Sequence, residues 1–349
     1  MISEFHGKAI SAIPGARVVA VFSRDAAKAR RRAEQLGARA YADYGEFLKD
    51  EDLAIVSICT PSGAHLEPAV AAARAGKHVM NEKPVEVTLE RADAIIAACE
   101  RAGVKLGVIF QSRFSEAAGL LKRAIDAGRF GRLTLGDAYV KWHREQSYYD
   151  SGAWRGTKAL DGGGALINQS IHAVDLLQWL MGPVGAVAAF AGRLIHERIE
   201  VEDAAVAAVR FANGALGAIE GTTSVWPGHL KRIEIGGSAG SAVIEEESIL
   251  AWKFKDERPE DALIRGKFAS ATTSGGGAGD PAAINFTGHR RQFEDFMRAI
   301  ETDGSPLVDG PEGRKALEVV LAIYESARTG RVVELPLKAR RGGKRRGER

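Results

Sequence analysis

The sequence predicts an α/β protein in which a doubly wound parallel sheet is joined to a second α/β domain with a large open, mainly antiparallel sheet. From residue 16 to 110, short apolar runs alternate with helical stretches, which is typical of repeated β-α units. After about Arg132, long strand-like runs follow one another with little helix between them. The 349 residues also exceed what one hydrophobic core usually organises. We therefore expect two domains, residues 1–115 and 116–337, followed by a basic tail.

Strands and helices alternate regularly in the first half of the chain. Gly76 and Gly103 each follow an alanine-rich helical segment, and glycine often ends a helix because it accepts positive φ. The run at 55–58 is rich in isoleucine and valine, as in a strand buried on both faces. The predicted strands of this half are 17–22, 54–59, 78–80 and 105–110.

The second half reads as a series of antiparallel strands with few helices. Asn213-Gly214 predicts a hairpin whose two central residues both have positive φ. A Gly/Ser-rich stretch at 270–281 predicts a mobile loop. The predicted strands are 133–141, 187–194, 204–211, 216–223 and 231–235, and the predicted helices are 167–180, 290–301 and 312–328.

Composition favours a soluble cytoplasmic protein. Hydrophobic residues make up 45% and charged residues 27%, and no apolar run has the length of a membrane span. Cys59 and Cys99, the only cysteines, have neither metal-type spacing nor a disulfide pattern, which fits a reducing compartment and predicts no metal. The first residues lack the features of a secretory signal.

The net charge of +3 is small, and much of the excess lies in the C-terminal residues 338–349. A basic terminal run can bind nucleic acid or an anionic surface, but a disordered, solubilising end is the simpler interpretation. We therefore expect no nucleic-acid or membrane partner.

Cys59-Thr60-Pro61 ends a predicted parallel strand, and Ser62 and His65 begin the next helix. Ligands of open α/β sheets bind at the carboxyl ends of strands, where helix N-termini offer N–H groups to phosphate. The alternative is an ordinary strand-to-helix turn in which Pro61 fixes φ.

Asn81-Glu82-Lys83-Pro84 follows the next predicted strand and places a lysine at the same edge of the sheet. A lysine whose pKa is lowered by burial and by a nearby cation could assist loss of a proton from a substrate hydroxyl. The alternative is a surface lysine in a turn.

A glycine run, 162–164, precedes a helix that carries Asn168, His172 and Asp175. These three side chains are expected on one helix face, with His172 able to accept a proton near neutral pH. Three consecutive glycines indicate close backbone approach, which we assign to a cofactor or sugar. The alternative is a core histidine capped by Asp175.

Glu82-Lys83-Pro84 after a parallel strand, together with the glycine run and the helix bearing His172, resembles the Gfo/Idh/MocA family of nicotinamide-dependent oxidoreductases. The resemblance covers about residues 3–337. The segments 148–150 and 154–157, with Asn168 to His172, are most similar to the members that oxidise UDP-N-acetylglucosaminuronic acid at the sugar 3-position.

The resemblance implies an NAD(P)-dependent dehydrogenase that oxidises a secondary hydroxyl of a sugar, inositol or nucleotide sugar. Lys83 and His172 are its implied catalytic residues, and Tyr149 and Asn168 would join them in binding substrate. Many relatives have aspartate at the position of Asn168; asparagine cannot take a proton, so here it would orient the substrate. The resemblance implies cofactor contacts from Thr60, Pro61, Ser62, His65, Glu82, Lys83, Gln111, Arg113, Trp154 and Arg155.

The choice between NAD and NADP depends on the end of the second strand of such domains. Ser23 and Arg24 could hold a 2′-phosphate there, whereas Asp25 could serve NAD in a shifted register. We favour NADP slightly.

The opening strand and Gly-x-Gly-x-x-Gly turn of the family do not occur here. That strand lies in the middle of a doubly wound sheet, so its absence would open the core and cost roughly 6 to 12 kcal/mol for about four buried side chains. A shortened gene model is therefore expected. The alternatives are a cofactor-free sugar-binding or scaffold relative, and an NAD-assisted glycoside hydrolase or dehydratase. We also expect a homo-oligomer, dimer or tetramer, through the free face of the second sheet.

Overall fold

The computed structural model describes residues 2–269 and 286–338. Helices and strands alternate up to residue 108, as the alternation of apolar runs and helical stretches in the sequence predicts. The strands are β1 (Ala20–Phe22), β2 (Arg39–Tyr41), β3 (Ile55–Ile58), β4 (His78–Asn81) and β5 (Leu106–Val108). The helices are α1 (Ile2–Ser11), α2 (Ala26–Leu36), α3 (Tyr44–Leu48), α4 (Leu66–Arg74) and α5 (Leu89–Ala102).

The five parallel strands form two sheets. β1 pairs with β2, and β3, β4 and β5 pair in that order, while β1 and β3 share no pairing in the described residues. In a doubly wound sheet the first strand would lie between these two. The break therefore falls where the sequence predicts an open core.

Helix ends in this region follow local capping rules. Asp25 accepts hydrogen bonds from two backbone amides at the start of α2, and the side chain of Thr88 accepts one at the start of α5. Gly76 and Gly103 have φ of 71° and 66°, so both predicted stops are confirmed. These helices connect parallel strands, so the carboxyl ends of the strands in each sheet lie at one edge.

The second sheet has eight strands in the order β12-β11-β10-β6-β9-β8-β7-β13. Among the strands of this sheet that the structure describes, only β6 and β9 pair in parallel, so the prediction of a mainly antiparallel sheet is confirmed. The bounds are β6 (Leu133–Lys141), β7 (Val184–Gly192), β8 (Ala204–Phe211), β9 (Leu216–Thr222), β10 (Arg232–Gly237), β11 (Gly240–Glu245), β12 (Ser248–Phe254) and β13 (Val333–Glu334).

One face of the large sheet is covered by helices, and the last of them reaches back to the first domain. Val108 donates to the carbonyl of Val308, just before the final long helix. The remaining helices are α6 (Glu116–Asp126), α7 (Gln146–Asp150), α8 (Ile171–Met181), α9 (Pro259–Ala269), α10 (Thr287–Glu301) and α11 (Gly310–Thr329). A single extended core therefore continues from β3–β5 into the second sheet.

The hairpin predicted at Asn213-Gly214 joins β8 to β9, but its turn differs from the prediction. Gly214 has φ of 87°, whereas Asn213 is absent from the described non-glycine residues with positive φ. Asn213 instead donates to the Met181 carbonyl and accepts from the Ala215 amide. A side chain anchored in this way stabilises the turn without left-handed backbone at both central residues.

The predicted mobile loop at 270–281 and all but the first residue of the basic tail lie outside the described residues. None of the helices in residues 2–269 and 286–338 is both long and apolar enough to cross a membrane.

Candidate functional site

The carboxyl ends of β3, β4 and β5 meet at one edge, against the start of α8. Lys83 follows β4, and its Nζ donates to the main-chain carbonyl of Asn168 at 2.6 Å. Phe110, just beyond β5, lies edge-on to the His172 ring with centroids 5.7 Å apart. The structure thus brings Lys83, Asn168 and His172 together at the predicted edge.

Burial lowers the pKa of Lys83, although the Glu82 and Asp161 carboxylates act in the opposite direction. A neutral amine becomes accessible closer to neutral pH than for an exposed lysine. The side chain is therefore suited to exchange a proton with a hydroxyl.

His172 is also held in its neutral form. Burial lowers its pKa well below 6.5, and the positive charges of Lys83 and Lys231 lower it further. Its Nδ1 is buried without a hydrogen-bond partner in the described residues. This imidazole therefore retains a ring nitrogen able to bond a ligand.

Asp175 does not cap His172. It forms a bidentate pair with Arg113, whose Nη2 and Nε lie 2.6 and 2.8 Å from its carboxylate oxygens, and Arg113 also contacts Glu312. The alternative of a histidine capped by Asp175 is therefore wrong. The prediction that Arg113 contacts the cofactor also needs correction, because two carboxylates bind this guanidinium and only 3% of the residue is exposed.

The glycine run requires close approach, but to the protein itself. A Cβ on Gly162 would lie 2.4 Å from Val87, one on Gly163 2.3 Å from the Tyr324 hydroxyl, and one on Gly164 1.7 Å from the Glu202 carbonyl. The close approach is therefore to other parts of the protein, and the assignment of this run to a cofactor or sugar is corrected. The glycines allow the backbone to dock on neighbouring elements.

The segment entering α8 is a π-helical turn, Ala165–Ser170. The carboxylate of Glu202 accepts hydrogen bonds from the amides of Gly164 and Leu166 and from the Tyr324 hydroxyl. Wider turns of this kind are frequent at functional sites. Here the turn directs the Asn168 carbonyl toward Lys83.

Asn168 uses its side chain within the protein. Its Nδ2 donates to Asp161, which also accepts from the Gly156 amide. Burial raises the pKa of Asp161. Asn168 therefore ties the loop before the glycine run to the turn that positions Lys83.

The predicted cofactor residues after β3 divide into exposed and buried groups. Thr60 is exposed and Pro61 part-buried, whereas Ser62 is buried. His65 is 1% exposed, and its ring nitrogens contact the carbonyls of Thr60 and Pro84. We correct the His65 prediction: its ring joins the two turns and leaves no face for a cofactor.

Gln111, Trp154 and Arg155 remain candidates for ligand contacts. Gln111 has a buried Oε1 without a partner in the described residues. Arg155 lies over the rings of Tyr148 and Trp154, at 4.2 and 4.6 Å from the centroids, and donates to the Tyr148 hydroxyl. An arginine and aromatic rings thus lie together beside the π-helical turn.

Tyr149 was predicted to bind substrate, but the structure places it in the core. It is 5% exposed, its hydroxyl bonds to that of Thr223, and its ring packs against His196. Tyr148, which accepts a hydrogen bond from Gln169, takes its place as the candidate. Tyr148 and Tyr149 are neighbours in α7, so their side chains point in different directions. The sequence alone did not show which of the two faces the site.

Ser23 and Arg24 follow β1 directly, with Ser23 part-buried and Arg24 exposed. Asp25, the alternative NAD contact, instead caps α2 and lies 3.4 Å from the Lys28 ammonium. Its carboxylate is therefore engaged by the helix.

Two polar residues near the site were missed from the sequence. His6 in α1 contacts Glu82, with Nε2 2.7 Å from Oε1. Lys231, just before β10, pairs with Glu246 and reaches the Ser112 hydroxyl. No local pattern marks either residue, because each contact joins distant parts of the chain.

His6 makes Glu82 part of the internal framework. Burial works against the Glu82 carboxylate, but the His6 hydrogen bond lowers its pKa to about 2. The ligand-type atoms of His6, Glu82 and His289 lie within 4.8 Å of one another. Because His6 and Glu82 already bond each other, we interpret the group as an ion pair, and Glu82 as a support of Lys83.

Comparisons with known proteins place this geometry in a family. Residues 1–110 match the model of an oxidoreductase family with an NAD-binding Rossmann fold, and residues 120–243 match the GFO/IDH/MocA C-terminal domain. The WlbA dehydrogenase from Bordetella pertussis, solved with NADH and UDP-GlcNAcA, is 34% identical, with 97% of this chain and 95% of that chain covered and a TM-score of 0.88. The chain belongs to the Gfo/Idh/MocA family. The predicted family, two-part fold and nicotinamide-dependent oxidoreductase activity are confirmed.

Other Gfo/Idh/MocA members are similar over most of their length. Levoglucosan dehydrogenase of Pseudarthrobacter phenanthrenivorans is 29% identical over 84% of this chain and 83% of its own length. The NAD(+)-dependent scyllo-inositol 2-dehydrogenase of Bacillus subtilis is 26% identical over 97% of this chain and 94% of its own length. These relatives use NAD(+) or were solved with NADH, so they give no support to the slight preference for NADP.

Proposed function

We propose that this protein oxidises a ring hydroxyl of an acidic nucleotide sugar, with NAD as hydride acceptor and Lys83 and His172 as proton-handling residues. The observation that carries the proposal is the 2.6 Å bond from Lys83 Nζ to the Asn168 carbonyl, which joins the strand-end lysine to the turn before His172. Burial lowers the pKa values of both Lys83 and His172. A neutral imidazole beside a lysine whose pKa is lowered suits removal of a hydroxyl proton.

The residues at the edge of β3, β4 and β5 fit a dinucleotide cofactor. Gln111 and His172 present buried polar atoms without partners in the described residues, and Thr60 and Pro61 line the end of β3. The nicotinamide, when bound, supplies the hydride-accepting carbon. The chain itself supplies the groups that hold the alcohol and receive its proton.

Removal of the hydroxyl proton can be divided between the two candidates. Lys83, fixed by Asn168, would orient the hydroxyl oxygen, and the neutral imidazole of His172 would accept the proton. Little rearrangement is needed, because packing against Phe110 already fixes the His172 ring.

An acidic substrate is supported by the charges near the cleft. In the described residues, neither Lys83 nor Arg155 has a carboxylate within ion-pair distance, whereas Lys231 near His172 is paired with Glu246. Arginine and lysine in such surroundings bind carboxylates and phosphates well. The similarity to a WlbA enzyme solved with UDP-GlcNAcA points to the same class.

A substrate panel tests the proposal. Reduction of NAD would be followed with UDP-GlcNAcA, with UDP-GlcNAc as the matched sugar without the carboxylate, and with levoglucosan and scyllo-inositol. We expect the highest kcat/KM for UDP-GlcNAcA. A preference for a neutral sugar would refute the acidic substrate, and absence of cofactor binding in calorimetry would favour a cofactor-free relative.

A homo-oligomer is also proposed, through the free face of the large sheet. Phe190 is 85% exposed and pairs across the strands with exposed Val206, and Leu135 pairs with Leu216 in the same way. Exposed apolar pairs on one sheet face indicate a covering partner. Light scattering should show a dimer or tetramer that Phe190→Asp dissociates; a wild-type monomer would contradict this.

A further inference from the structure

A cysteine, an imidazole and a carboxylate are aligned behind the cofactor edge. Cys59 Sγ lies 3.4 Å from His6 Nδ1, and His6 Nε2 lies 2.7 Å from Glu82 Oε1. His6 and Glu82 are 2% and 6% exposed, whereas Cys59 is only part-buried at the end of β3. Cys59 is therefore a partly exposed residue whose sulfur lies against a buried imidazole.

We propose that Cys59 is an activated thiol, held as a thiolate by the His6 imidazolium, and is a site of modification by hydroperoxides and other small electrophiles. Imidazole beside a thiol is a common means of producing a reactive thiolate. Glu82 favours the charged imidazolium through its hydrogen bond. Cys59 and His6 do not belong to the Lys83 and His172 pair that we assign to proton transfer, although Glu82 also adjoins Lys83.

The charges around His6 support the ion pair. Burial alone would lower the pKa of His6, but the contacts with Cys59 and Glu82 raise it to about 10. His289 in α10 packs beside it, with ring centroids 5.5 Å apart. Burial and the positive charges of His6 and Lys83 lower the pKa of His289 to about 4, against the opposing effect of Glu82, so His6 is the cation of the pair.

One further polar group lies near the thiol, and another lies beside His6. The Ser57 hydroxyl lies 2.6 Å from His6 Nδ1 and 3.9 Å from Cys59 Sγ, so it can donate to the thiolate. His289 is 3% exposed, and its Nδ1 has no partner in the described residues.

The oxidation step balances within this set of residues and a hydroperoxide. The thiolate sulfur attacks the terminal peroxide oxygen, an S–O bond forms and the O–O bond breaks. The sulfur loses two electrons and becomes a sulfenic acid, while the peroxide is reduced to an alcohol. The His6 imidazolium supplies the proton to the departing oxygen and becomes neutral.

Cys99 provides an internal control in the same chain. It is 2% exposed, and burial raises its pKa to about 11. It should remain a thiol and react slowly with any probe. Peptide mass spectrometry of the wild-type protein therefore compares an activated and an inert cysteine without a substitution.

The test measures iodoacetamide labelling of Cys59 from pH 6 to 8, together with the ultraviolet absorbance of the thiolate. For Cys59 we expect a rate that changes less than about twofold, whereas a free thiol gains roughly tenfold per pH unit below its pKa of about 8.5. Cys59→Ala should remove the thiolate absorbance at pH 7. A rate that rises like a free thiol's, or no thiolate absorbance, would overturn the proposal.

His6→Asn should return Cys59 to the pH dependence of a free thiol. If circular dichroism shows that this variant is unfolded, Glu82→Gln decides the question, because it keeps the side-chain size and should likewise lower thiolate absorbance. An unchanged labelling profile in a folded variant would contradict the role of His6. These measurements need neither cofactor nor substrate, so their outcome is independent of the proposed dehydrogenase activity.

Discussion

The Lys83 ammonium donates a hydrogen bond to the main-chain carbonyl of Asn168, across 85 positions of the sequence. This bond fixes the strand-end lysine against the π-helical turn that leads to His172. A carbonyl accepts from a lysine in either protonation state, so the contact can persist while the amine exchanges a proton. The hydrogen bond that positions Lys83 therefore does not depend on the proton that its amine would exchange.

Lys83→Met should lower kcat by on the order of 10² to 10⁴, the range typical of acid–base groups, with the fold intact. Methionine keeps the apolar stem but removes both the proton-carrying amine and the bond to Asn168. His172→Asn should have a loss in the same range. Lys77→Met, which changes a part-buried lysine before β4 that donates to the Asp50 carbonyl, serves as the control. Near-normal turnover in both site variants would end the assignment.

The pH profile of kcat/KM should retain activity below pH 6.5 if His172 is the base. Burial and the charges of Lys83 and Lys231 disfavour its imidazolium, so the neutral ring persists to lower pH than in an exposed histidine. Lys231→Met removes one positive charge, which should raise the pKa of His172 and move the acid limb to higher pH. Lys253→Met, an exposed lysine in β12, should leave the limb in place; a limb that Lys231→Met does not move would exclude His172 as the titrating base.

Arg113→Met should destabilise the fold by about 3 to 5 kcal/mol, because it leaves the Asp175 carboxylate buried without its cation. Both side chains are at most 2% exposed. The free energy of unfolding from urea titration would measure the loss. Arg210→Met breaks the exposed pair with Glu334 and should cost less than about 1 kcal/mol; equal effects of the two variants would contradict a structural role for Arg113.

Much of this architecture was predictable from local patterns. Strand 204–211 was predicted to its ends, because a nearly continuous apolar run and the Asn213-Gly214 turn define it. Lys83 and His172 were found because each lies next to a recognisable boundary, a strand end or a glycine run.

The errors at Tyr149, Arg113 and the glycine run have one cause. Spacing along the chain shows which residues share a region, but not whether a side chain faces the cleft or its own core. Tyr149 packs on His196 and Gly164 on Glu202, partners 47 and 38 positions away in the sequence. Such contacts depend on how distant elements pack and leave no local signal.

Gly164→Ala should destabilise the protein and disturb the site, since its Cβ would lie 1.7 Å from the Glu202 carbonyl. A backbone neighbour cannot rotate away, so the π-helical turn must move, and kcat should fall together with the midpoint of urea unfolding. Gly266→Ala in α9 is the matched control: a Cβ there has no heavy atom within 4 Å, and helix propensity favours alanine by roughly 0.5 to 1 kcal/mol. Equal stability of the two variants would show that the glycine run is not held by close packing.

Ser23→Asp should shift the cofactor preference toward NAD. A carboxylate directly after β1 can bond the adenosine ribose hydroxyls and repels a 2′-phosphate, whereas Asp25 cannot serve because it caps α2. We expect the ratio of kcat/KM for NAD over NADP to rise by about tenfold, equivalent to about 1.4 kcal/mol. Arg24→Ala tests the contact with the 2′-phosphate separately from the ribose contact, because it should weaken binding of NADP alone. If neither substitution changes the ratio, the end of β1 does not contact the ribose, and the break between β1 and β3 has displaced the adenosine site.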